Sequence, residues 1–234
     1  MTNFNNLIPR NGKNFIFLGE AGSGKSEISI NFAVNLAKIS DKKVHFFDMD
    51  MTKPLFRSRD LRDKLVSHGV EFHYQEQFMD APTLVGGVNS LLKNKDEIVI
   101  MDVGGNYIGA RSIGGFAPLL NKEETVVYFV LNSMRPWSYD IENIDLTLGQ
   151  ILGVSHINLS QVKLIDNPNV GVTTTADEYL EGSDKMIQMV TSFMPIEFSC
   201  VREDLYDAVI KKAKLPLVPL NIYLTYEWLD EEIE

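Results

Sequence analysis

The sequence predicts an α/β protein with a doubly wound, mainly parallel sheet and helices on both of its faces. Two observations support this fold class. Short apolar runs typical of buried strands alternate along the chain with stretches of helical periodicity. The composition, 44% hydrophobic and 23% charged, is ordinary for a globular protein. No repeat, low-complexity segment or linker interrupts residues 1–234, so we predict a single domain.

The strands and helices follow from these patterns in chain order. Strands are predicted where apolar runs are bounded by polar residues, at Asn14–Leu18, Lys43–Asp48, Glu97–Asp102, Thr125–Leu131 and Gln161–Asp166. Met194–Cys200 is expected to be a short edge strand, and Pro216 and Pro219 to end regular structure. Helices are expected over residues 26–39, 57–67, 84–93, 138–153, 175–190 and 202–213.

Between the first strand and the first helix lies a complete phosphate-binding motif, G-x-x-x-x-G-K-[ST]. Glycines allow backbone N–H groups to turn inward around a phosphate. The lysine brings a positive charge to the β- and γ-phosphates, and the last hydroxyl can ligate Mg²⁺. The predicted nucleotide contacts are Gly19, Glu20, Ala21, Gly22, Ser23, Gly24, Lys25 and Ser26. This motif therefore predicts the fold of a P-loop NTPase.

Asp102 ends the third predicted strand, where a Walker B carboxylate holds a Mg²⁺-bound water. Gly105 completes a D-x-x-G spacing, and its N–H is expected to approach the γ-phosphate as part of a switch. Asp48 and Asp50 follow the second strand, and two carboxylates two residues apart point to the same side. We assign both to metal or water contacts, Asp48 before Asp50, with a solvated loop pair as the alternative.

Charge and cysteine content limit the partners. A net charge of −10 argues against nucleic acid, which needs a basic surface. The single Cys200 excludes an internal disulfide and is expected to be buried. The histidines show no metal-ligand spacing and are expected to be structural or exposed; they are His45, His68, His73 and His156.

The sequence gives no indication of a membrane anchor. No apolar run approaches the ~20 residues that span a bilayer, and no signal peptide is expected at the N-terminus. The acidic residues 226–234 would be repelled by an anionic membrane. We therefore expect a cytoplasmic protein.

The P-loop, Asp48-x-Asp50 and Asp102-x-x-Gly105 together resemble the ParA/MinD group of SIMIBI-class P-loop ATPases, which includes the nitrogenase iron protein and bacterial tyrosine kinases. A narrower resemblance, over roughly residues 13–190, is to bacterial proteins with a CobQ/CobB/MinD/ParA nucleotide-binding domain; it rests on Pro54–Asp60, Asp102–Arg111 and Asn132–Pro136. It implies Mg²⁺-ATP bound at the carboxyl ends of the strands and, often, a nucleotide-dependent homodimer.

The chain departs from the ParA/MinD pattern at one important position. Members with a signature lysine carry it at the second P-loop position, where it reaches the nucleotide of the partner subunit, but this chain has Glu20 there. That mechanism therefore cannot be transferred. If a cation acts across a dimer, Arg57, Arg59 or Arg111 must supply it; ordinary surface or interface ion pairing is the alternative for each.

The resemblance also implies that an asparagine near the end of the fifth strand bonds the adenine. Asn167 occupies that place, and an amide suits a purine edge because it both donates and accepts. A turn-forming role before Pro168 is an equal alternative. Asn132, after the fourth strand, is a weaker candidate for the same contact.

These features predict a Mg²⁺-dependent ATPase, slow or stimulated by a partner, whose nucleotide controls a dimer or an unidentified protein partner. Two alternatives stay open. One is phosphoryl transfer of the bacterial tyrosine-kinase type, for which Tyr223 and Tyr226 would be acceptors. The other is a module that binds nucleotide without hydrolysing it. The aromatic and arginine residues around Arg135–Trp137 are a possible partner surface.

Overall fold

The structure, a computed structural model, describes Phe4 and residues 7–9, 11–50, 58–74 and 82–224. Within these residues eight strands form one parallel sheet in the order β3-β2-β4-β1-β5-β6-β7-β8. The strands are β1 Asn14–Leu18, β2 Lys43–Met49, β3 Val70–Tyr74, β4 Glu97–Val103, β5 Thr125–Leu131, β6 Val162–Asp166, β7 Ile196–Arg202 and β8 Leu217–Leu220. The predicted parallel sheet is confirmed.

Helices cover both faces of the sheet, as the predicted doubly wound fold requires. They are α1 Lys25–Ile39, α2 Ser58–Ser67, α3 Pro82–Lys93, α4 Tyr107–Arg111, α5 Ala117–Leu120, α6 Ile141–Ser155, α7 Ala176–Val190 and α8 Tyr206–Val209. The central strand β1 is buried throughout. Its alternating side chains divide the core: Phe15 and Phe17 pack towards α1, whereas Ile16 and Leu18 pack towards α3 and α6.

The carboxyl half of the chain differs most from the predicted elements. Met194–Cys200 was expected at an edge, but β7 is an interior strand paired with β6 and β8. The continuous helix predicted over 202–213 is wrong, since a 3-10 turn at Glu203–Leu205 and the four-residue α8 form there instead. Pro219 does not end regular structure either: it lies in β8, where an edge strand tolerates a residue without an N–H.

Two further helix ends follow from local chemistry. α6 ends at Ser155, not at Gly153, because His156 takes the left-handed conformation (φ 57°) that stops the helix. Thr175 is the N-cap of α7 and forms a capping box with Glu178.

Among the described residues no helix is long and apolar enough to cross a membrane. Cys200 is buried, as expected.

The sheet order places the candidate site. β1 lies between β4 and β5, so the chain passes to opposite sides of the sheet from its centre. In open α/β sheets ligands bind at such a reversal, outside the carboxyl ends of the strands. The loops that follow β1, β2, β4, β5 and β6 therefore meet at one edge.

Candidate nucleotide-binding site

The phosphate-binding loop lies between β1 and α1, at the carboxyl edge of the sheet. Gly24, which ends it, has a φ of 90°, and an added Cβ would lie 2.1 Å from Asn167 Nδ2. Only glycine fits that backbone and that contact. Gly24 is the N-cap of α1, and no side chain caps this helix end. The first N–H groups and the helix dipole are thus directed at the loop, an arrangement suited to a phosphate.

Lys25 lies between two carboxylates. Its Nζ atom is 3.0 Å from Asp50 Oδ2 and 3.9 Å from Asp102 Oδ1, and none of the three side chains is more than 6% exposed. Removing one member of a buried ion pair leaves an uncompensated charge, which costs about 3–5 kcal/mol. The two aspartates therefore hold the ammonium group at the loop.

The three predicted aspartates share one corner of the site. Asp48 and Asp102 are register partners on β2 and β4, so their side chains lie on the same face. Asp48 Oδ1 accepts a hydrogen bond of 3.1 Å from the backbone N–H of Asp50. This bond supports the turn that carries Asp50 to Lys25. Asp50, the second candidate of the pair from the sequence, is the one that contacts Lys25 directly.

The segment after Asp102 packs directly on the phosphate-binding loop. A Cβ on Gly105 would lie 2.9 Å from the Ala21 backbone nitrogen and 3.2 Å from the Gly19 carbonyl oxygen. Any larger residue at 105 would push the two segments apart. The two segments are therefore in direct contact at Gly105.

Two asparagines tie the loop to the strands beside it. Asn167 Nδ2 donates to the Ser23 carbonyl oxygen at 2.7 Å. Asn132 Nδ2 donates to the carbonyl oxygens of Gly22 and Asn169, while its Oδ1 accepts from the backbone N–H groups of Met134 and Asn169. The fully buried Asn132 side chain is thus committed to the loops, which disfavours it as an adenine contact.

A largely apolar cavity of about 200 Å³ opens beside Asn167. It lies between the start of α1 and the ends of β6 and β7; its lining includes Gly24, Glu27, Asn167, Tyr179, Val201 and Leu205. A concave, mainly apolar site with a few polar groups is typical for a planar ligand. The cavity therefore suits the base of a nucleotide whose phosphates lie at the loop.

A buried carboxyl group lies behind this cavity. Asp166 Oδ2 accepts hydrogen bonds from Ser183 Oγ (2.6 Å) and Ser199 Oγ (2.7 Å), and Tyr179 O–H is 2.5 Å from Ser199 Oγ. Complete burial raises the pKa of Asp166 to about 7, although both hydroxyl bonds lower it. The network fixes the end of β6 immediately before Asn167.

Arg135 is a functional candidate whose contact with the loop was not predicted from the sequence. Its Nε atom is 3.2 Å, and its Cζ atom 3.6 Å, from the position that a Cβ on Gly22 would take. The Nε atom is buried and has no hydrogen-bond partner within the described residues. The available signal was topological: Arg135 follows β5, which pairs with the strand that leads into the loop. The guanidinium therefore lies against the tip of the phosphate-binding loop.

The other candidate cations are placed differently. Arg57 and residues 54–56 lie outside the described residues, as does the side chain of Arg59. Arg111 is exposed at the end of α4. Burial raises the pKa of Glu20, and this effect exceeds the opposing ones of the Ala21 N–H and of Lys25.

The residues at the loop fit a triphosphate and Mg²⁺. Ser23 Oγ, like Arg135 Nε, is buried with no hydrogen-bond partner among the described residues, as expected of groups whose partner is a ligand. Hydroxyl and carboxylate oxygens are the donors that Mg²⁺ prefers, and the site offers them at Ser26, Asp48, Asp50 and Asp102. These four residues are the candidates to hold the ion.

Solved structures with a similar fold are distant in sequence. Chloroplast FtsY from Physcomitrella patens has a TM-score of 0.52 at 17% identity, over 86% of this chain and 62% of that one. FlhF complexed with GTP/Mg²⁺ has a TM-score of 0.51 at 14% identity, over 83% of this chain and 70% of that one. FtsY from Mycoplasma mycoides has a TM-score of 0.52 at 12% identity, over 84% of this chain and 63% of that one. These likenesses establish the fold alone, and this chain spans less than two thirds of either FtsY.

Sequence comparison identifies the family. No curated protein matches the chain significantly. The family described as CobQ/CobB/MinD/ParA nucleotide binding domain matches residues 15–171, which include the phosphate-binding loop, all three aspartates, Arg135 and Asn167. The chain therefore belongs to the CobQ/CobB/MinD/ParA nucleotide-binding domain family of P-loop proteins.

Proposed function

We propose that this protein is a Mg²⁺-dependent ATPase of the ParA/MinD type, in which the bound nucleotide acts as a switch. The observation that carries the proposal is the position of Lys25, whose ammonium group is held by Asp50 and Asp102 at the uncapped N-terminus of α1. A lysine, a helix N-terminus and acidic metal ligands are the groups that phosphoryl transfer from a nucleotide requires.

The residues have separate tasks in this proposal. The backbone N–H groups of the loop and Lys25 bind the β- and γ-phosphates and offset the charge on the transferring group. Mg²⁺, which Ser26, Asp102 and Asp48 would hold, would offset the negative charge of the phosphate oxygens. Asp50 exchanges its contact with Lys25 for a place near the attacking water. Water attacks the γ-phosphorus as the bond to the bridging oxygen breaks, which releases ADP and phosphate.

The cavity lining supports our choice of adenine over guanine. The Watson–Crick edge of guanine presents N–H donors at both N1 and N2 beside its O6 acceptor, and a carboxylate can accept from both donors. The adenine edge pairs one donor with one acceptor, which an amide matches. Glu27 is the acidic residue in the cavity lining, and it already accepts from the backbone N–H groups of Tyr223 and Leu224 at 2.6 and 3.0 Å. Asn167 therefore suits adenine. GTP is the second candidate, because FlhF, a structural neighbour, was solved with GTP/Mg²⁺.

Two segments connect the nucleotide to the surface. Gly105, which packs on the loop, leads into α4 with its exposed Tyr107 and Ile108. Arg135 leads into exposed Trp137 and Tyr139. Exposed aromatic and aliphatic groups next to a ligand site favour protein contacts. A change of nucleotide would alter these surfaces, and we propose that they serve a nucleotide-dependent homodimer or a separate protein partner.

A tyrosine-kinase role is less well supported. Tyr223 is partly buried, its ring lies 4.8 Å from Lys64 Nζ, and its backbone N–H is bound by Glu27. An acceptor tyrosine would have to leave these contacts to reach a γ-phosphate. Tyr226 lies outside the described residues.

One set of measurements tests the proposal. The affinity of the full chain for ATP, GTP and ADP is measured by calorimetry, once with Mg²⁺ and once with EDTA. Phosphate release is followed separately, and light scattering gives the molecular mass with each nucleotide. We expect tighter binding of ATP than of GTP, Mg²⁺-dependent phosphate release, and a larger mass with ATP than with ADP. Binding without phosphate release, with or without added lysate, would favour the non-hydrolysing module; label transferred to protein tyrosine would favour the kinase.

A further inference from the structure

A second polar cluster lies away from the nucleotide site, on the sheet face opposite α1. His45 Nδ1 is 3.1 Å from His73 Nε2 and 3.3 Å from Glu71 Oε2. One possible ligand atom from each of the three residues lies within 4.8 Å of those of the other two. The sequence spacing did not indicate this group, because the residues come from two strands and only the register of β2 with β3 joins them. The sequence analysis expected the histidines to be structural or exposed; His45 is buried and His73 is partly buried.

Neighbouring residues fix the orientation of all three side chains. Glu97 Oε2 lies 2.9 Å from His45 Nε2, on the far side of the ring. Lys43 Nζ donates to Glu71 Oε1 at 2.9 Å, which leaves Oε2 directed at His45. The His73 ring stacks on Phe47 with a centroid distance of 4.4 Å. A carboxylate on the outer nitrogen of a histidine is the usual support for a metal ligand.

The hydrogen-bond pattern calls for a cation between the three groups. If His45 Nε2–H donates to Glu97, then Nδ1 carries a lone pair that faces the Glu71 carboxylate, and two acceptors 3.3 Å apart repel. Lys43 Nζ occupies Glu71 Oε1, so Oε2 remains as the acceptor that faces His45, and His73 Nε2 lies 3.1 Å from the same His45 Nδ1.

Two of the three separations match those of a metal centre. With metal–ligand distances of about 2.0–2.1 Å, two ligands of a tetrahedral Zn²⁺ ion are roughly 3.3 Å apart. The two measured separations from His45 Nδ1, 3.1 and 3.3 Å, are close to this value. Two imidazoles and one carboxylate suit Zn²⁺ or a similar transition metal better than Mg²⁺, which prefers oxygen ligands.

We propose that His45, Glu71 and His73 form a binding site for a divalent transition metal, with Zn²⁺ as the best fit and a fourth position open to water. The ion would join the edge strand β3 to β2. β2 also carries Asp48 at its carboxyl end, so the ion would stabilise the strand that supplies the nucleotide site.

Calorimetry with metal-free full-length protein tests the proposal. Zn²⁺ is titrated in the presence of excess Mg²⁺, which occupies oxygen-rich sites. We expect one Zn²⁺ per chain and loss of this binding in Glu71→Gln and in His73→Gln. Glu97→Gln should bind about 10–100-fold more weakly, since it removes only the outer support. His68→Gln, a histidine outside the cluster, is the matched control and should bind as wild type.

Two further readouts separate a metal ligand from a structural role. Co²⁺ in place of Zn²⁺ should give the visible absorption of a four-coordinate ion in the wild type and in His68→Gln, but not in Glu71→Gln. Circular dichroism without metal checks folding, and the part-exposed Glu71 makes its variant the safer of the two. The proposal is wrong if the wild type takes up no Zn²⁺, in which case a proton on His45 serves as the cation. It is equally wrong if folded Glu71→Gln and His73→Gln retain wild-type affinity.

Discussion

Asn167 Nδ2 donates a 2.7 Å hydrogen bond to the carbonyl oxygen of Ser23, so the residue predicted to bind the base also holds the phosphate-binding loop. The two alternatives for Asn167, an adenine contact and a structural role, are therefore compatible. The Asn167 amide lines the base cavity and also contacts the phosphate-binding loop at Ser23.

Asn167→Ala tests this dual role. Loss of the bond to Ser23 removes about 1 kcal/mol of loop support, and loss of the base contact adds a similar amount, so ATP should bind roughly 10–30-fold more weakly. Pyrophosphate, which has no base, should also lose affinity because the loop is loosened. Competition titrations with both ligands provide the measurement, and Asn158→Ala, an exposed asparagine, is the control. Unchanged pyrophosphate affinity would limit Asn167 to the base.

Lys25→Ala is expected to abolish ATP binding while the fold persists. The substitution removes the charge that faces the phosphates and leaves Asp50 and Asp102 as two buried negative groups, which repel a polyanion. Lys38→Ala, at the exposed far end of the same helix, is the matched control. Calorimetric titration with Mg²⁺-ATP measures the effect, and an affinity within a few-fold of wild type would contradict the assignment of the loop.

Asp102→Asn is expected to keep ATP binding but to weaken its dependence on Mg²⁺ and to slow turnover. An amide of nearly the same shape removes the negative charge that the ion needs. Steady-state phosphate release across a Mg²⁺ series measures both effects, with Asp145→Asn on the exposed face of α6 as the control. If hydrolysis and its Mg²⁺ dependence stay as in the wild type, Asp102 has no part in the reaction.

The sequence predicted the sheet and the loop because both depend on local patterns. The five apolar runs that became β1, β2, β4, β5 and β6 are nearly continuous and almost entirely buried. β3 and β8 were missed because each lies towards an edge and mixes polar residues or proline with apolar ones, as in Val70–Tyr74. Their positions depend on strand pairing, which the sequence alone does not reveal.

The candidate site residues also divide into those that depend on local sequence and those that depend on strand pairing. Spacing made Asp102 and the loop candidates. It did not indicate Arg135 or the group of His45, Glu71 and His73, since each is brought into place by neighbouring strands. Glu20 indicated that a cation was missing from its usual position. Arg57 and the side chain of Arg59 lie outside the described residues and Arg111 is exposed at the end of α4, so these three candidates stay predictions. We propose Arg135, which lies against the loop, as the replacement.

Arg135→Ala tests that replacement. We propose that the guanidinium contacts the phosphates, and hydrogen bonds to charged groups contribute about 1.5–3 kcal/mol, so ATP affinity or turnover should fall by roughly 10–150-fold. Arg135→Lys should recover part of the loss, because it restores the charge without the fork of donors. Arg62→Ala, an exposed arginine on α2, is the control, and its effect should stay within about threefold. Equal effects of the two alanine variants on kcat and on ATP affinity would remove Arg135 from the site.

Asp166→Asn is expected to change how stability depends on pH. The folded-state pKa of Asp166, about 7, is above its unfolded value of 3.8, so the folded protein holds a proton that the unfolded chain releases between these values. This contribution is complete below about pH 4 and is lost as the pH rises to 7, by roughly 4 kcal/mol at about 1.36 kcal/mol per pH unit.

Asparagine does not titrate but still offers an oxygen to Ser183 and Ser199. The variant should therefore gain stability relative to wild type as the pH rises from 4 to 8. Urea unfolding at several pH values measures the difference, and Asp145→Asn should show no such trend. Parallel stability curves for Asp166→Asn and wild type would mean that the buried carboxyl group is not protonated near neutral pH.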